Sequence, residues 1–149
     1  MSYIENLRKV VGNEPLILVG VAVADINDYG QIWWQKRSDG VWGVPGGFME
    51  LGESTEEAGR REVLEETGLE IGKLDLVGVF SGKQHFVKLP NGDEFYPVTI
   101  AYIAKEITGG VLQADGQETT EAKFFNLHEL PEQLNPLIKN MIQQYALTI

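Results

Sequence analysis

The sequence predicts one α/β domain, residues 1–149, built on a central mixed β-sheet between helical layers. Three observations carry that prediction. Runs of strand-forming residues stand both before and after one central helix, at Leu16–Ile26, Gln31–Arg37, Leu74–Phe80 and Glu94–Ala104. An amphipathic helix, Leu134–Tyr145, closes the chain. And 149 residues, 43% of them hydrophobic and 23% charged, suit one domain with a real core rather than two.

The elements follow in order. Ser2 to Val11 reads as a short helix, capped by Ser2 and ended by Gly12. Its Ile4, Leu7, Val10 and Val11 share one side, which should pack on the domain or on the partner subunit of a homodimer. Leu16 to Ile26 is a continuous apolar run, as expected of a strand buried on both faces. Asn27-Asp28-Tyr29-Gly30 is a turn, short enough to set Gln31–Arg37 antiparallel to the first strand. Trp33 and Trp34 are adjacent and so face opposite sides. One belongs to the core; the other is half-exposed, at a subunit contact, or a shelf for a base. Ser38-Asp39-Gly40 turns the chain into Val41–Val44 and the Pro45-Gly46-Gly47 loop. Beyond the central helix, Leu74–Phe80 is a strand. Gln84–Lys88 and Glu94–Ala104 form a hairpin around Leu89-Pro90-Asn91-Gly92-Asp93. In the second of these, Val98, Ile100 and Tyr102 alternate with Thr99, Ala101 and Ile103, so both sides should be covered. Gly109-Gly110 breaks the pattern. Lys123–Asn126 is a short strand, Leu127–Pro131 a turn, and the closing helix aligns Leu137, Ile138, Met141, Ile142 and Tyr145.

Charge narrows the function. A net charge of −10 argues against stable nucleic-acid binding or an anionic membrane surface, both of which need a basic field. It also repels polyphosphates unless a metal neutralises the site. There is no cysteine, hence no disulfide framework and no thiol chemistry. The longest apolar run, Leu16–Ala24, is half a membrane span. The N-terminus carries Glu5 and no cleavable signal pattern, so the expected location is cytoplasmic.

The chain is organised around Gly47–Leu69. Ser54 with Glu57 forms a capping box that starts a helix at Thr55, and Gly68 suits a left-handed C′ position after Thr67. Within that helix Glu62, Glu65 and Glu66 share one face. Three like charges so placed repel one another, and a hard divalent cation would turn that repulsion into binding. A solvated face laced by Glu57–Arg61 or Arg61–Glu65 pairs is the plainer account of a Glu-rich helix. Two features count against it. The helix has few apolar residues, Ala58, Val63 and Leu64, and the loop before it can bring bare backbone close to whatever the glutamates bind.

The spacing is more specific still. Gly47, five residues, Glu53, seven residues, Arg61-Glu62-Val63, one residue, Glu65-Glu66, one residue, Gly68-Leu69 resembles the signature box of the Nudix hydrolases at every defined position. Gly59, an unfixed position of that box, stands where alanine would favour the helix by ~1 kcal/mol.

The resemblance implies an α/β/α sandwich and hydrolysis of a nucleoside diphosphate linked to another moiety, with Mg²⁺ or Mn²⁺ as cofactor. It implies Glu62, Glu65 and Glu66 as metal ligands. It also carries over the Gly47 carbonyl as a ligand, Glu53 as a metal, water or Arg61 partner, and Arg61 as an orienting fork. Beyond the box, Glu118 resembles the late-loop glutamate that serves some relatives as ligand or general base, with Glu121 as runner-up and Glu62 as the base within the box. Arg37 resembles a substrate-phosphate arginine. His85 and His128 match no motif. Markers of the ADP-ribose and dinucleoside-polyphosphate subgroups are absent from Gln84–Val87, so a general nucleotide or nucleotide-sugar pyrophosphohydrolase, acting on (d)NTPs among others, is expected. The alternative is a Nudix-like domain that binds a nucleotide as a sensor.

Overall fold

The computed structural model describes residues 2–37, 40–110, 119–126 and 138–143. In chain order the elements are α1 (Tyr3–Val11), β1 (Leu16–Asp25), β2 (Ile32–Arg37), β3 (Trp42–Gly43), β4 (Gly46–Phe48), α2 (Thr55–Thr67), β5 (Leu69–Ile71), β6 (Leu74–Phe80), a 3₁₀ turn at Lys83–His85, β7 (Val87–Lys88), β8 (Glu94–Ala104), β9 (Ile107–Gly110) and β10 (Thr119–Phe125). Residues 138–143 are helical.

β1 is the spine. It runs parallel to β8 from Leu16↔Phe95 to Asp25↔Ala104 and antiparallel to β4. β6 and β7 pair antiparallel to β8, so the five-stranded sheet is mixed. The first half of β1 alternates between exposed and buried, whereas Gly20 to Asp25 is buried on both faces. The reason is visible in the core. Val23 packs with Val63 of α2, Leu74 and Tyr102. Its neighbours Ala22 and Ala24 pack with Trp34, Ile138, Met141 and Ile142. Adjacent strand residues point to opposite faces, so α2 and the helical segment 138–143 cover the sheet from opposite sides. The mixed α/β sandwich is the one expected. Burying a Val or Ile of this kind contributes about 1.5–3 kcal/mol each.

Several local expectations are corrected. The turn at Asn27–Gly30 does start an antiparallel pairing, but Ile26↔Ile32 is an isolated bridge. β2 then leaves to a three-stranded sheet, β10-β2-β3. A short turn fixes the first bridge, and the partners farther along are chosen by burial of Trp33 and Trp34. Both tryptophans are buried, Trp33 at 3% exposure, so neither is a shelf for a base. In the first arm of the proposed hairpin Gln84 and His85 belong to the 3₁₀ turn, and Val87–Lys88 alone pair to β8. Gly109-Gly110 is strand, not a break: β9 pairs with β5. A Cβ on Gly110, whose φ is 89°, would collide with the Gly68 carbonyl oxygen, so this glycine is there for close backbone approach. β10 begins at Thr119, and the Glu121 backbone is strand opposite Lys36, not loop. In α1, Val10 is 84% exposed. Ile4, Leu7 and Val11 of the same side are half-buried, and Arg8 adds bonds to the carbonyls of Gly12, Glu14 and Glu94. The described part of the closing helix buries Ile138, Met141 and Ile142 as expected.

Among the described residues no helix is long and apolar enough to cross a membrane.

Candidate functional site

The helix that carries the glutamates is set by its ends. Ser54 Oγ accepts from Glu57 N at 3.1 Å, and Gly68 adopts φ 76°, ψ 0° with its N–H donating to Leu64 O at 2.9 Å. Ala58, Gly59, Val63 and Thr67 form a narrow buried stripe, while Leu64 is 49% exposed. Gly59 has a purpose here: a Cβ would stand 3.1 Å from Val23 Cγ2, so glycine lets the helix lie close on β1. The flank of α2 next to this stripe then lies along β4, the strand paired to β1.

Arg61 stands at the centre of that side, and all five of its N–H donors are used. Nε and Nη2 grip Glu53 at 2.7 and 3.0 Å, a bidentate pair. Nη1 reaches Glu62 Oε1 at 2.9 Å and Glu65 Oε2 at 3.3 Å, and Nη2 also reaches Phe48 O at 3.2 Å. The fork holds the Glu53 carboxyl below the usual carboxylate range and is itself pushed up by Glu53. Glu62 goes the other way: burial pushes its carboxyl up, and the neighbouring Glu65 charge adds to this. Glu62 lies directly under Gly47, where a Cβ would be 2.5 Å from its Oε1. That contact explains the glycine. Glu66 accepts from the Gly46 N–H at 2.9 Å and from Gln35 Nε2 at 3.0 Å.

Three carboxyl groups, of Glu53, Glu62 and Glu65, surround the one guanidinium, and Glu66 stands beside them on α2. Of the four, Glu62, Glu65 and Glu66 sit in the last two turns of α2, where the helix dipole already favours cations, and that last turn holds no basic residue. The donors are all oxygen, which suits Mg²⁺ or Mn²⁺. Among the described residues, no three acidic side chains converge on a single point; they are drawn onto Arg61. Glu65, with 59% of its side chain exposed, is the one with most room to turn. The residues therefore fit a divalent ion by donor chemistry and charge. The Gly47 carbonyl belongs to the β1–β4 ladder: bonds from Val23 N to Pro45 O and from Met49 N to Val19 O flank the Val21↔Gly47 pair. Alternation makes that pair a hydrogen-bonded one, so one lone pair of the carbonyl faces β1.

The other residues singled out by sequence lie apart or outside. Arg37 ends β2, exposed. Glu118 and His128 lie outside the described residues. His85 lines a hollow of about 380 Å³ with Phe80, Ser81, Gln84, Asn140 and Gln143. Sequence reasoning missed Gln35 and Glu50. Glu50 Oε1 accepts from the Tyr3 N–H at 2.8 Å, and the Glu50 N–H donates to Glu53 at 2.8 Å, so α1 is tied to the loop before α2. It also missed Asp25, fully buried, whose carboxyl is pushed up to about 7 by burial and whose oxygens have no hydrogen-bond partner among the described residues.

The NUDIX domain family matches residues 16–145, which include every one of these box residues. The chain belongs to the Nudix family. Its Nudix relatives include an ADP-ribose pyrophosphatase of Methanocaldococcus jannaschii, 41% identical over 93 residues, 62% of this chain and 50% of that one. A Bacillus subtilis relative, provisionally named an 8-oxo-dGTP diphosphatase, is 35% identical over 132 residues, 85% of this chain and 78% of that one. Among solved structures, a MutT NUDIX hydrolase from Burkholderia pseudomallei superposes with a TM-score of 0.72 at 27% identity, covering 88% of this chain and 98% of that chain. The match thus spans half the length of the archaeal relative and most of the other two.

Proposed function

We propose that this Nudix chain hydrolyses the pyrophosphate bond of a nucleoside diphosphate linked to another moiety. The observation that carries the reading is the complete box, folded so that Glu53, Glu62 and Glu65 meet at Arg61 while Glu66 is held by Gly46 and Gln35. Glu62, Glu65 and Glu66 would hold Mg²⁺ or Mn²⁺, with the Gly47 carbonyl beside them. When bound, that ion supplies charge neutralisation at the phosphate oxygens.

The chain's own residues supply position and proton transfer. Glu53 fixes Arg61, and Arg61 fixes Glu62 and Glu65, so the helix face is ordered before substrate arrives. A carboxylate within reach of the attacking water takes its proton. The two candidates for that base are Glu118, which directly precedes Thr119 in sequence, and Glu62. Arg37, exposed at the end of β2, is the residue we assign to a substrate phosphate, on its resemblance to the phosphate arginine of the family. The names of the relatives divide between ADP-ribose and 8-oxo-dGTP. Both compounds present a pyrophosphate on a nucleoside, and that shared chemistry is what we assign.

The test is a panel of (d)NTPs, ADP-ribose, nucleotide sugars and dinucleotides, incubated with the chain and Mg²⁺ and read by phosphate release after phosphatase treatment. Turnover on at least one class at kcat near 1 s⁻¹ or above is expected, about the lower end of ordinary enzyme rates. Saturable binding of a nucleotide with no turnover on the whole panel would make this a sensor and overturn the proposal.

A further inference from the structure

We infer that Gln35, on β2, is a positioning residue for Glu66, held in its working orientation by the indole of Trp33. The inference rests on the reading of Glu66 as a metal ligand given above. Two N–H donors reach Glu66 on different oxygens: Gly46 N on Oε2 at 2.9 Å and Gln35 Nε2 on Oε1 at 3.0 Å. The backbone donor is fixed by the chain. An amide side chain is not, since it presents either a donor or an acceptor depending on how it is turned.

Trp33 settles which. Its Nε1–H points at Gln35 Oε1, 3.1 Å away. An indole can donate but never accept, so the carbonyl end of Gln35 must face Trp33 and the N–H end must face Glu66. Gln35 is 5% exposed and Trp33 3% exposed, so the bond between them is shielded from water, while the Gln35–Glu66 bond is part-buried. The indole is itself seated edge-on against Phe124 of β10, ring centroids 5.3 Å apart and planes at 65°. β2 is the middle strand of its sheet, with Gln35 opposite Ala122 on one side and Gly43 on the other. A buried, paired strand thus delivers a single oriented N–H to the carboxylate of a helix on which it has no sequence claim.

The consequence is specific. With a donor on each oxygen, the Glu66 carboxylate cannot spin, and the plane it presents is set by Gly46 and Gln35. Groups that orient a ligand in this way typically change metal affinity by 10–100-fold when removed.

The experiment is a titration of the metal-free chain with Mn²⁺, read by electron paramagnetic resonance of the unbound ion, with a thermal melt on each sample. Gln35→Glu keeps an acceptor for Trp33 and removes the donor to Glu66; Gln35→Leu removes both at similar volume. Trp33→Phe keeps the ring against Phe124 but releases the amide. We expect Mn²⁺ affinity to fall by ~10-fold or more in either Gln35 variant that still melts cooperatively, and by several-fold in Trp33→Phe. Trp33→Phe combined with Gln35→Leu should be no weaker than Gln35→Leu alone, because the two act through one bond chain. Steady-state kinetics should show kcat falling at nearly constant KM. Wild-type affinity in a folded Gln35→Glu or Gln35→Leu chain, or fully additive effects of the pair, overturns the inference. Wild-type protein that binds no Mn²⁺ overturns the metal reading itself, and so separates the two failures.

Discussion

Replacing Arg61 by lysine keeps the charge and removes the fork. Arg61 makes five contacts with five N–H groups: two to Glu53, one each to Glu62, Glu65 and the Phe48 carbonyl. An ammonium has three donors on one atom and cannot bridge Glu53 and Glu62 together. At least two charge-assisted bonds are lost, each of them about 1.5–3 kcal/mol. The Arg61 side chain is 28% exposed, and solvent screening lowers the net loss to about 2–3 kcal/mol. That loss falls on the orientation of Glu62 and Glu65, and each ~1.4 kcal/mol of it is tenfold in rate. We therefore expect Arg61→Lys to lower kcat by ~10²-fold with KM within a few-fold of wild type. Its melting temperature should drop by about 4–10 °C for a domain of this size. Kinetics with Mg²⁺ and a thermal melt on the same preparation check both. Near-wild-type turnover in the folded variant would refute the reasoning, and so would a loss of activity that merely tracks unfolding at the assay temperature.

Three further outcomes are expected. Glu65→Gln should abolish most turnover while leaving the melting temperature unchanged or raised, because it relieves like-charge repulsion near the C-terminal end of α2; a strongly destabilised variant would mean Glu65 is structural. Asp25, pushed from 3.8 to about 7 in the folded chain, binds its proton more tightly folded than unfolded. The stability this adds is complete below pH 3.8 and is lost as pH rises through 7, up to about 4 kcal/mol. Asp25→Asn should thus melt close to wild type at pH 4.5 and clearly above it at pH 8.5, and an equal gap at the two pH values would contradict the assignment. Glu118→Gln should lower kcat by ~10²-fold with KM little changed, and Glu121→Gln much less. If the order is reversed the base sits in β10, and if neither matters it is Glu62.

Caps and periodicity made the bounds of α2 legible, because Ser54, Glu57 and Gly68 act on the backbone within a few residues of themselves. β1 was legible for the same kind of reason: its unbroken apolar run has no solvated face to offer from Gly20 onward. The pairing of β2 was not legible. Its turn dictates the bridge at Ile26↔Ile32, but the partners beyond that depend on which surfaces bury two tryptophans. Gly109-Gly110 read as a break because a glycine pair looks alike in a turn and in a strand pressed against another backbone. In the site, the acidic residues were found through their spacing on one helix. Gln35 and Glu50 were not, since each is an ordinary polar residue until the fold brings Glu66 or Tyr3 beside it. Asp25 stood inside the predicted strand, and nothing in an apolar run says whether its single acid reaches water.

The most direct test of the account is turnover of a pyrophosphate substrate by the wild-type chain stripped with chelator and then supplied with Mg²⁺ or Mn²⁺, beside Glu66→Gln treated identically. The account predicts no hydrolysis in chelator, full recovery in wild type on adding the ion, and recovery at least ~10²-fold poorer in the folded variant. Hydrolysis that persists in excess chelator, or a Glu66→Gln chain that recovers as wild type does, would contradict the claim that these carboxylates hold the ion at the centre of the reaction.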